Sequence, residues 1–329
     1  MTTSSDSNRD DLIVITGAGG AIGGALARYF HDKGFARIRA VDKKPLGQWY
    51  QRVPGVECLC LDVSVEENCR RACEGATEVY NLAADMGGMG FIERFRIECL
   101  RSILINTHML EAAWQAGAQR YFYSSSACIY PEGIQQDTDS AALREADAYP
   151  AQPDSDYGWE KLFSERLYLA YGRNHGIEVR IARFHNVFGP EGDWSGGREK
   201  APAAICRKVA GAEDGGAIEI WGDGEQTRTF LYIDECLDGV SRLMASAFTG
   251  PVNIGSDELI SINDLARMTA EIAGKRLRLR HVSGPLGVRG RRSDNTRIAE
   301  RLGWRPTRPL REGMERTYRW IEAQVRRKT

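Results

Sequence analysis

A tyrosine and a lysine four residues apart, Tyr157 and Lys161, carry the first chemistry legible in this sequence. The string Tyr157-Gly158-Trp159-Glu160-Lys161 opens a helical stretch that Asp154 or Ser155 is placed to cap. On a helix the two side chains share a face. An ammonium beside a phenol favours the phenolate and lowers a pKa that starts near ~10, so Tyr157 is a candidate proton acceptor. The pattern alone recurs on surface helices, and its meaning depends on what surrounds it. Just upstream, a strand from Gln119 to Ser126 runs into Ser124-Ser125-Ser126-Ala127-Cys128-Ile129-Tyr130-Pro131.

Near the start of the chain, Thr16-Gly17-Ala18-Gly19-Gly20-Ala21-Ile22-Gly23-Gly24 follows the apolar run Leu12 to Ile15 and precedes the helix-like Ala25 to Phe30. Glycines at 17, 20 and 23 let a strand-turn-helix unit approach a pyrophosphate closely, with the helix-terminal N–H groups around Ala21 and Ile22 facing the phosphates. A tight turn without a ligand has the same look. Asp42 ends the next strand about 20 residues on, where a carboxylate would bind the adenosine ribose hydroxyls and repel a 2′-phosphate. That favours NAD over NADP, a preference that Lys43 and Lys44 weaken. Asp62 closes a further strand, placed to meet the adenine amino group and to cap the helix beginning at Ser64. The apolar strand Glu78 to Ala84, with Leu82 near its end, finishes in small residues against which a cofactor can lie. The loop Asp85 to Phe91 holds three glycines and suggests close backbone approach to a ligand.

Strands alternating with helices at this rhythm predict an α/β chain with a Rossmann-type doubly wound parallel sheet. The second half breaks the alternation, with short strands at Ile218 to Trp221 and Thr227 to Tyr232 joined by Gly222-Asp223-Gly224. Asp234 and Ser261 are expected helix caps there, and Leu310 to Arg326 the last helix. The expected division is a cofactor domain at 11–188, with 230–255 returning to it. A smaller interleaved α+β substrate lobe takes 189–229 and 256–329, and residues 1–10 form a disordered lead-in.

The bulk properties exclude several classes. The 329 residues are 42% hydrophobic and 27% charged with net charge −1, so no basic field argues for nucleic acid or an acidic membrane. No apolar run approaches the roughly 20 residues of a membrane span. Eight cysteines without paired C-x-x-C spacing favour reduced thiols and a cytoplasmic setting. Cys69 and Cys73, one helical turn apart, read as packing and not as a metal site, so no metal is expected.

From residue 12 to about 325 the chain resembles the extended short-chain dehydrogenase/reductase superfamily, in the branch that modifies nucleotide-diphosphate sugars. More specific strings are similar to the GDP-mannose 3,5-epimerase family: Ala84 to Phe91, Ser125 to Pro131, Arg183-Phe184-His185-Asn186, Gly196 to Ala204 and Gly287 to Arg291. Residues 92 to 105 depart from that pattern. The resemblance implies a homodimer, through a four-helix contact common in the superfamily, and a three-stage reaction on GDP-mannose. Tyr157 takes the proton from the carbon-4 hydroxyl while hydride passes to NAD, with Lys161 on the ribose and Ser126 polarising the oxygen. The new ketone acidifies carbons 3 and 5, and Cys128 and Lys200 remove and return protons on opposite faces. Hydride then returns to carbon 4. A cationic neighbour is expected to lower the Cys128 pKa from near ~8.5. In simple 4-epimerases a small hydroxyl residue is expected at that position, and in 4,6-dehydratases an Asp-Glu pair in that stretch. Arg291 and Arg289 are expected to clamp the diphosphate. Gly87, Ala127, Asn186, Glu199, Ala201, Lys208, Gln226, Thr227 and Arg228 complete the implied substrate contacts. The competing readings are an NAD-dependent 4-epimerase or other epimerase of a different nucleotide-diphosphate sugar, and a non-catalytic NAD sensor, which would have lost the Ser126-Tyr157-Lys161 set.

Overall fold

The computed structural model describes residues 9–328, so the expected lead-in lies outside the described residues except for its last two positions. In chain order the elements are β1 (Ile13–Thr16), α1 (Ala21–Asp32), β2 (Ile38–Asp42), β3 (Glu57–Cys60), α2 (Glu66–Cys73), β4 (Glu78–Asn81), α3 (Met89–Arg94), α4 (Arg96–Gln115), β5 (Arg120–Ser126), α5 (Asp156–His175), β6 (Glu178–Phe184) and β7 (Val187–Phe188). There follow α6 (Ala201–Gly211), β8 (Ala217–Trp221), β9 (Thr227–Thr229), β10 (Leu231–Tyr232), α7 (Ile233–Ala245), β11 (Pro251–Ile254), β12 (Leu259–Ser261), α8 (Ile262–Ile272), β13 (Arg278–Val282), β14 (Gly290–Arg291), α9 (Thr296–Leu302) and α10 (Leu310–Lys328). Seven strands form one parallel sheet in the order β11-β6-β5-β4-β1-β2-β3.

Side-chain alternation explains why these apolar runs are central strands. Ile13 and Ile15 of β1 enter the core shared with α1 and α7, while Val14 enters the core shared with α2, α4 and α5. A strand buried on both faces needs an unbroken apolar run, and β1 has one. The order reverses between β1 and β4, which opens a crevice at the carboxyl ends of the strands. Around it, β9 pairs with β12 and β14, β8 with β13, and β10 with β7.

Local expectations fare unevenly. Ser155 caps α5 by accepting from the Gly158 N–H, and Ser261 caps α8 through the Asp264 N–H. Asp62 does not cap α2, because its carboxylate accepts from Ser64 N–H, before the helix, and Val65 holds the cap position. Asp234 lies inside the first turn of α7, where a negative charge suits the helix dipole, and Tyr232 precedes the helix. The strand expected over 227–232 is broken at Phe230, its halves joining different sheets.

Two polar contacts are buried beneath the crevice, although His185 Nδ1 finds no partner among the described residues. Arg183 of β6 makes a two-pronged contact with Glu165 of α5, at 3.0 and 2.7 Å. Next to it, His185 is fully buried and its Nε2–H donates to Asn253 Oδ1 at 3.2 Å. Burial holds the His185 pKa down at about 3, with Arg291 adding to the effect. An unfolded histidine titrates near ~6.5, so between those values the unfolded chain binds the extra proton and stability falls as pH drops. His185→Gln is expected to lose less stability than wild type between pH 7 and pH 5 in urea unfolding, by about 2 kcal/mol. Equal losses in the two proteins would show that His185 is not buried neutral.

Candidate active site

A cavity of about 720 Å³ runs along the carboxyl ends of β1, β4, β5 and β6 and under α6, β8 and β9. Its lining includes every residue expected from the sequence except Thr227 and Arg289. Thr227 donates its hydroxyl to the Thr138 carbonyl. Arg289 is paired through both terminal nitrogens with Asp223, each at 2.8 Å, outside the cavity wall. The expected place of Arg289 on a diphosphate is therefore not what the geometry gives.

At the β1 end, the glycine turn forms a cradle that side chains would fill. Gly17 has φ +70°, and a Cβ there would lie 2.8 Å from the Leu82 backbone; one at Gly23 would lie 2.4 Å from the Gly17 carbonyl oxygen. Gly20 precedes α1 without a capping side chain, and the first turn carries no acid, so the positive end of the helix faces the cavity uncompensated. Asp42 is fixed at the wall, accepting from Gly19 N–H and Lys44 N–H at 2.9 Å each. Lys43 is held by Asp85 at 2.8 Å, and Lys44 lies 3.7 Å from Asp193. With both lysines engaged elsewhere, Asp42 meets an incoming ribose as a carboxylate, which suits NAD and not NADP. Asp62 and Leu82 line the same end.

The loop Asp85 to Phe91 packs closely on the chain itself and lines the cavity from Asp85 to Gly90. Gly88 N–H donates to the Arg198 carbonyl at 3.0 Å, and a Cβ at Gly88 would lie 2.6 Å from the Glu199 carbonyl oxygen. The glycines thus let the segment that ends in Lys200 pack into the cavity, with Gly87 also on its wall. Arg198 stacks on Phe91, 4.1 Å from the ring centroid, and reaches Asp85. Glu199 is tied to Gly197 N–H and to Arg207 at 3.0 Å. Lys200 is left at the start of α6, followed by Ala201, with no hydrogen bond or ion pair to its ammonium among the described residues.

Tyr157 and Lys161 share one face of α5, both buried, with the ammonium 5.5 Å from the Tyr157 ring centroid and 4.8 Å from that of Tyr123. The expected lowering of the Tyr157 pKa is absent. Burial pushes the phenol well up, Cys128 and Glu160 add to this, and the hydrogen bond with Ser126 opposes it. Burial disfavours the charge of Lys161 as well, while Glu160, 4.0 Å away, favours it.

Cys128 is likewise not the acidified thiol expected. Burial raises its pKa, Asp154 raises it further, and Arg291 opposes. Arg291 donates Nη1–H to Cys128 Sγ at 3.3 Å, Nε–H to Gln135 Oε1 at 2.7 Å and an Nη2–H to Asp154. The cation meant for the thiol is thus mostly neutralised by a carboxylate, and Arg291 acts on Cys128 more than it opens toward a diphosphate. Ala127 lies in the short turn between Ser126 and Cys128, with Ser126 Oγ accepting from Cys128 N–H.

The opposite wall carries cations that no carboxylate pairs with among the described residues. Arg228 is buried and donates only to the carbonyls of Thr227, Leu286 and Val288, and burial together with Arg291 brings its pKa down to about 9. Burial also lowers the pKa of Lys208, which donates to the Glu219 carbonyl, and of Lys200. No carboxylate forms an ion pair with any of the three among the described residues. Gln226 and Asn186 complete this wall, Asn186 donating to the Thr229 carbonyl at 3.0 Å. Sequence reasoning missed Asp154 as the partner of Arg291, Gln135 as its second anchor, and Trp221 on the cavity wall. Of these only Trp221 left a signal, a large aromatic on the outward face of an alternating strand.

A model of the NAD-dependent epimerase/dehydratase family matches residues 13–255. The chain belongs to this family. It is 49% identical over 314 residues to a GDP-mannose 3,5-epimerase of Arabidopsis thaliana, covering 95% of this chain and 82% of that one. Among solved structures, UDP-glucose 4-epimerase of Thermotoga maritima superposes with TM-score 0.85 at 23% identity, covering 95% of this chain and 99% of the other. MoeE5 in complex with UDP-glucose and NAD gives TM-score 0.79 at 28% identity, covering 96% and 99%. NAD is the family's cofactor, and the glycine cradle, the open α1 terminus and Asp42 fit it. Asp42→Ala is expected to weaken NAD binding about tenfold and to admit NADP, as read by cofactor titration. Unchanged discrimination would remove Asp42 from that role.

Proposed function

We propose that this chain is an NAD-dependent epimerase that inverts carbons 3 and 5 of GDP-mannose to give GDP-L-galactose, with GDP-L-gulose as the product inverted at carbon 5 alone. The observation that carries it is the pairing of Cys128 and Lys200 in one cavity with an unneutralised cationic wall. Lys200, Lys208 and Arg228 form a field that a diphosphate would complete, since each would gain an anion where burial now disfavours its charge.

Bound NAD supplies a hydride acceptor and a positively charged ring. Tyr157 takes the proton of the carbon-4 hydroxyl, Ser126 holds that oxygen, and Lys161 stabilises the phenolate against the burial that resists it. With carbon 4 a ketone, a proton on carbon 3 or 5 becomes removable, because the carbanion delocalises onto the carbonyl oxygen. Inversion needs one group to take a proton and another to deliver one across the ring. Thiol with amine and thiolate with ammonium are the two one-proton states of Cys128 and Lys200 that do this. Burial of both groups favours the uncharged pair, and the diphosphate would draw charge toward the lysine.

Cofactor residues would come from 11–188 and 230–255, and substrate contacts from 189–229 and 256–329. The return of β11 to the edge of the main sheet supports that division. We further propose a homodimer. Ile97, Leu100 and Leu104 of α4 and Trp159 and Phe163 of α5 are exposed on two helices packed side by side, an apolar face suited to its own copy. The departing segment 92–105 supplies most of it. No helix among the described residues is long and apolar enough to cross a membrane. The eight free thiols support a reducing, cytoplasmic setting.

Incubation with GDP-mannose in deuterated water, read by NMR, is expected to place deuterium on carbons 3 and 5. Cys128→Ala is expected to abolish that exchange, a fall of about 10²-fold or more, while NAD stays bound. Turnover at carbon 4 without label at carbons 3 and 5 would overturn the reading, as would wild-type epimerisation by the variant. For the dimer, Phe163→Asp is expected to halve the mass measured by sedimentation; an unchanged mass would place the contact elsewhere.

A further inference from the structure

Past the cationic wall the cavity reaches one face of β8. Glu219 and Trp221 stand two residues apart there, so their side chains project to the same side, while Ile218 and Ile220 point into the core. Trp221 is 41% exposed. Its indole is nonetheless fixed, because backbone packs directly against it: a Cβ at Gly284 would lie 2.5 Å from the ring and one at Gly90 3.2 Å. The Lys208 ammonium lies 5.9 Å from the ring centroid, which joins this surface to the cationic wall. Glu219 is held from behind by Arg280, its cross-strand partner on β13, through Oε1. Its Oε2 accepts no hydrogen bond among the described residues. An immobilised, half-open aromatic ring beside an oriented carboxylate has no part in the chemistry at Tyr157, Cys128 and Lys200.

We infer that Trp221 and Glu219 form the nucleobase subsite and make it selective for guanine, an inference that rests on the reading of a GDP-sugar substrate. The indole stacks on the base, with Lys208 between it and the diphosphate. The Glu219 carboxylate accepts from guanine N1–H and from its 2-amino group, two adjacent donors that match two carboxylate oxygens. Adenine sets an acceptor nitrogen beside its amino group, and uracil sets one N–H between two carbonyls. Each of these would put lone pairs against the carboxylate. Hypoxanthine keeps the N1–H and lacks the amino group, which makes it the sharpest probe.

The test uses nucleoside diphosphates, which carry no sugar and cannot be epimerised. Calorimetric titration of the wild-type protein with GDP, IDP, ADP and UDP is expected to rank GDP first, about tenfold tighter than IDP. Glu219→Gln is expected to weaken GDP about tenfold or more and to erase its advantage over IDP. Trp221→Ala is expected to weaken GDP and IDP alike, and Trp221→Phe to restore most of the binding. An unchanged GDP-to-IDP ratio in Glu219→Gln overturns the carboxylate's role, and wild-type affinities in Trp221→Ala overturn the stacking platform. Failure of the function itself looks different: selective binding of GDP with no turnover of GDP-mannose would leave this subsite standing and refute the reaction.

Discussion

Arg291 is the contact on which the arrangement of this site depends. Its buried guanidinium is held by Asp154 and Gln135 and lies against the Cys128 sulfur. Asp154 immediately precedes α5, which carries Tyr157 and Lys161, and Arg291 lies on β14, in register with Arg228 of β9. One buried ion pair therefore couples the redox side of the cavity to the anion side. Removing one partner of such a pair leaves an unpaired buried charge, at a cost of about 3–5 kcal/mol. The geometry of the thiol and the packing of β14 against the turn before α5 stand or fall together.

Burial governs the ionisable groups around that contact. The Tyr157 phenol and the Cys128 thiol are pushed up, and the Lys161 and Lys200 ammoniums are pushed down. All four are moved toward neutrality, the state in which the phenol and thiol hold a proton to give and the amines can take one; the reverse roles require a charge beside them. The diphosphate and the cofactor are the charges that fit these walls. Under the proposed function, an arriving substrate would bring the charge that shifts these four groups from neutrality.

The glycine loop at 85–91 serves the same end by packing. Gly88 leaves room for the Glu199 carbonyl and donates to that of Arg198, and so seats the segment that ends in Lys200 on the cavity. Arg198, stacked on Phe91 and reaching Asp85, closes the seam, and Asp85 in turn holds Lys43 away from Asp42. The surroundings of Asp42 and the placing of Lys200 thus share one network of charges.

The sequence by itself determined what depends on neighbours along the chain. The apolar run of β1, the Gly17 to Gly23 turn, Asp42 ending β2, the Ser155 cap and the Tyr157 to Lys161 spacing are local, and period and turn chemistry expose them. Similarity of whole strings also named Cys128 and Lys200. Only the tertiary structure decided how those groups behave. It placed Asp154 on Arg291 and so cancelled the charge expected to acidify the thiol; it turned Arg289 onto Asp223; and it set Trp221 and Glu219 on the cavity wall. These outcomes depend on burial and on contacts between residues far apart in the chain, 66 positions from Asp223 to Arg289 and 163 from Cys128 to Arg291, and neither quantity is encoded in local pattern.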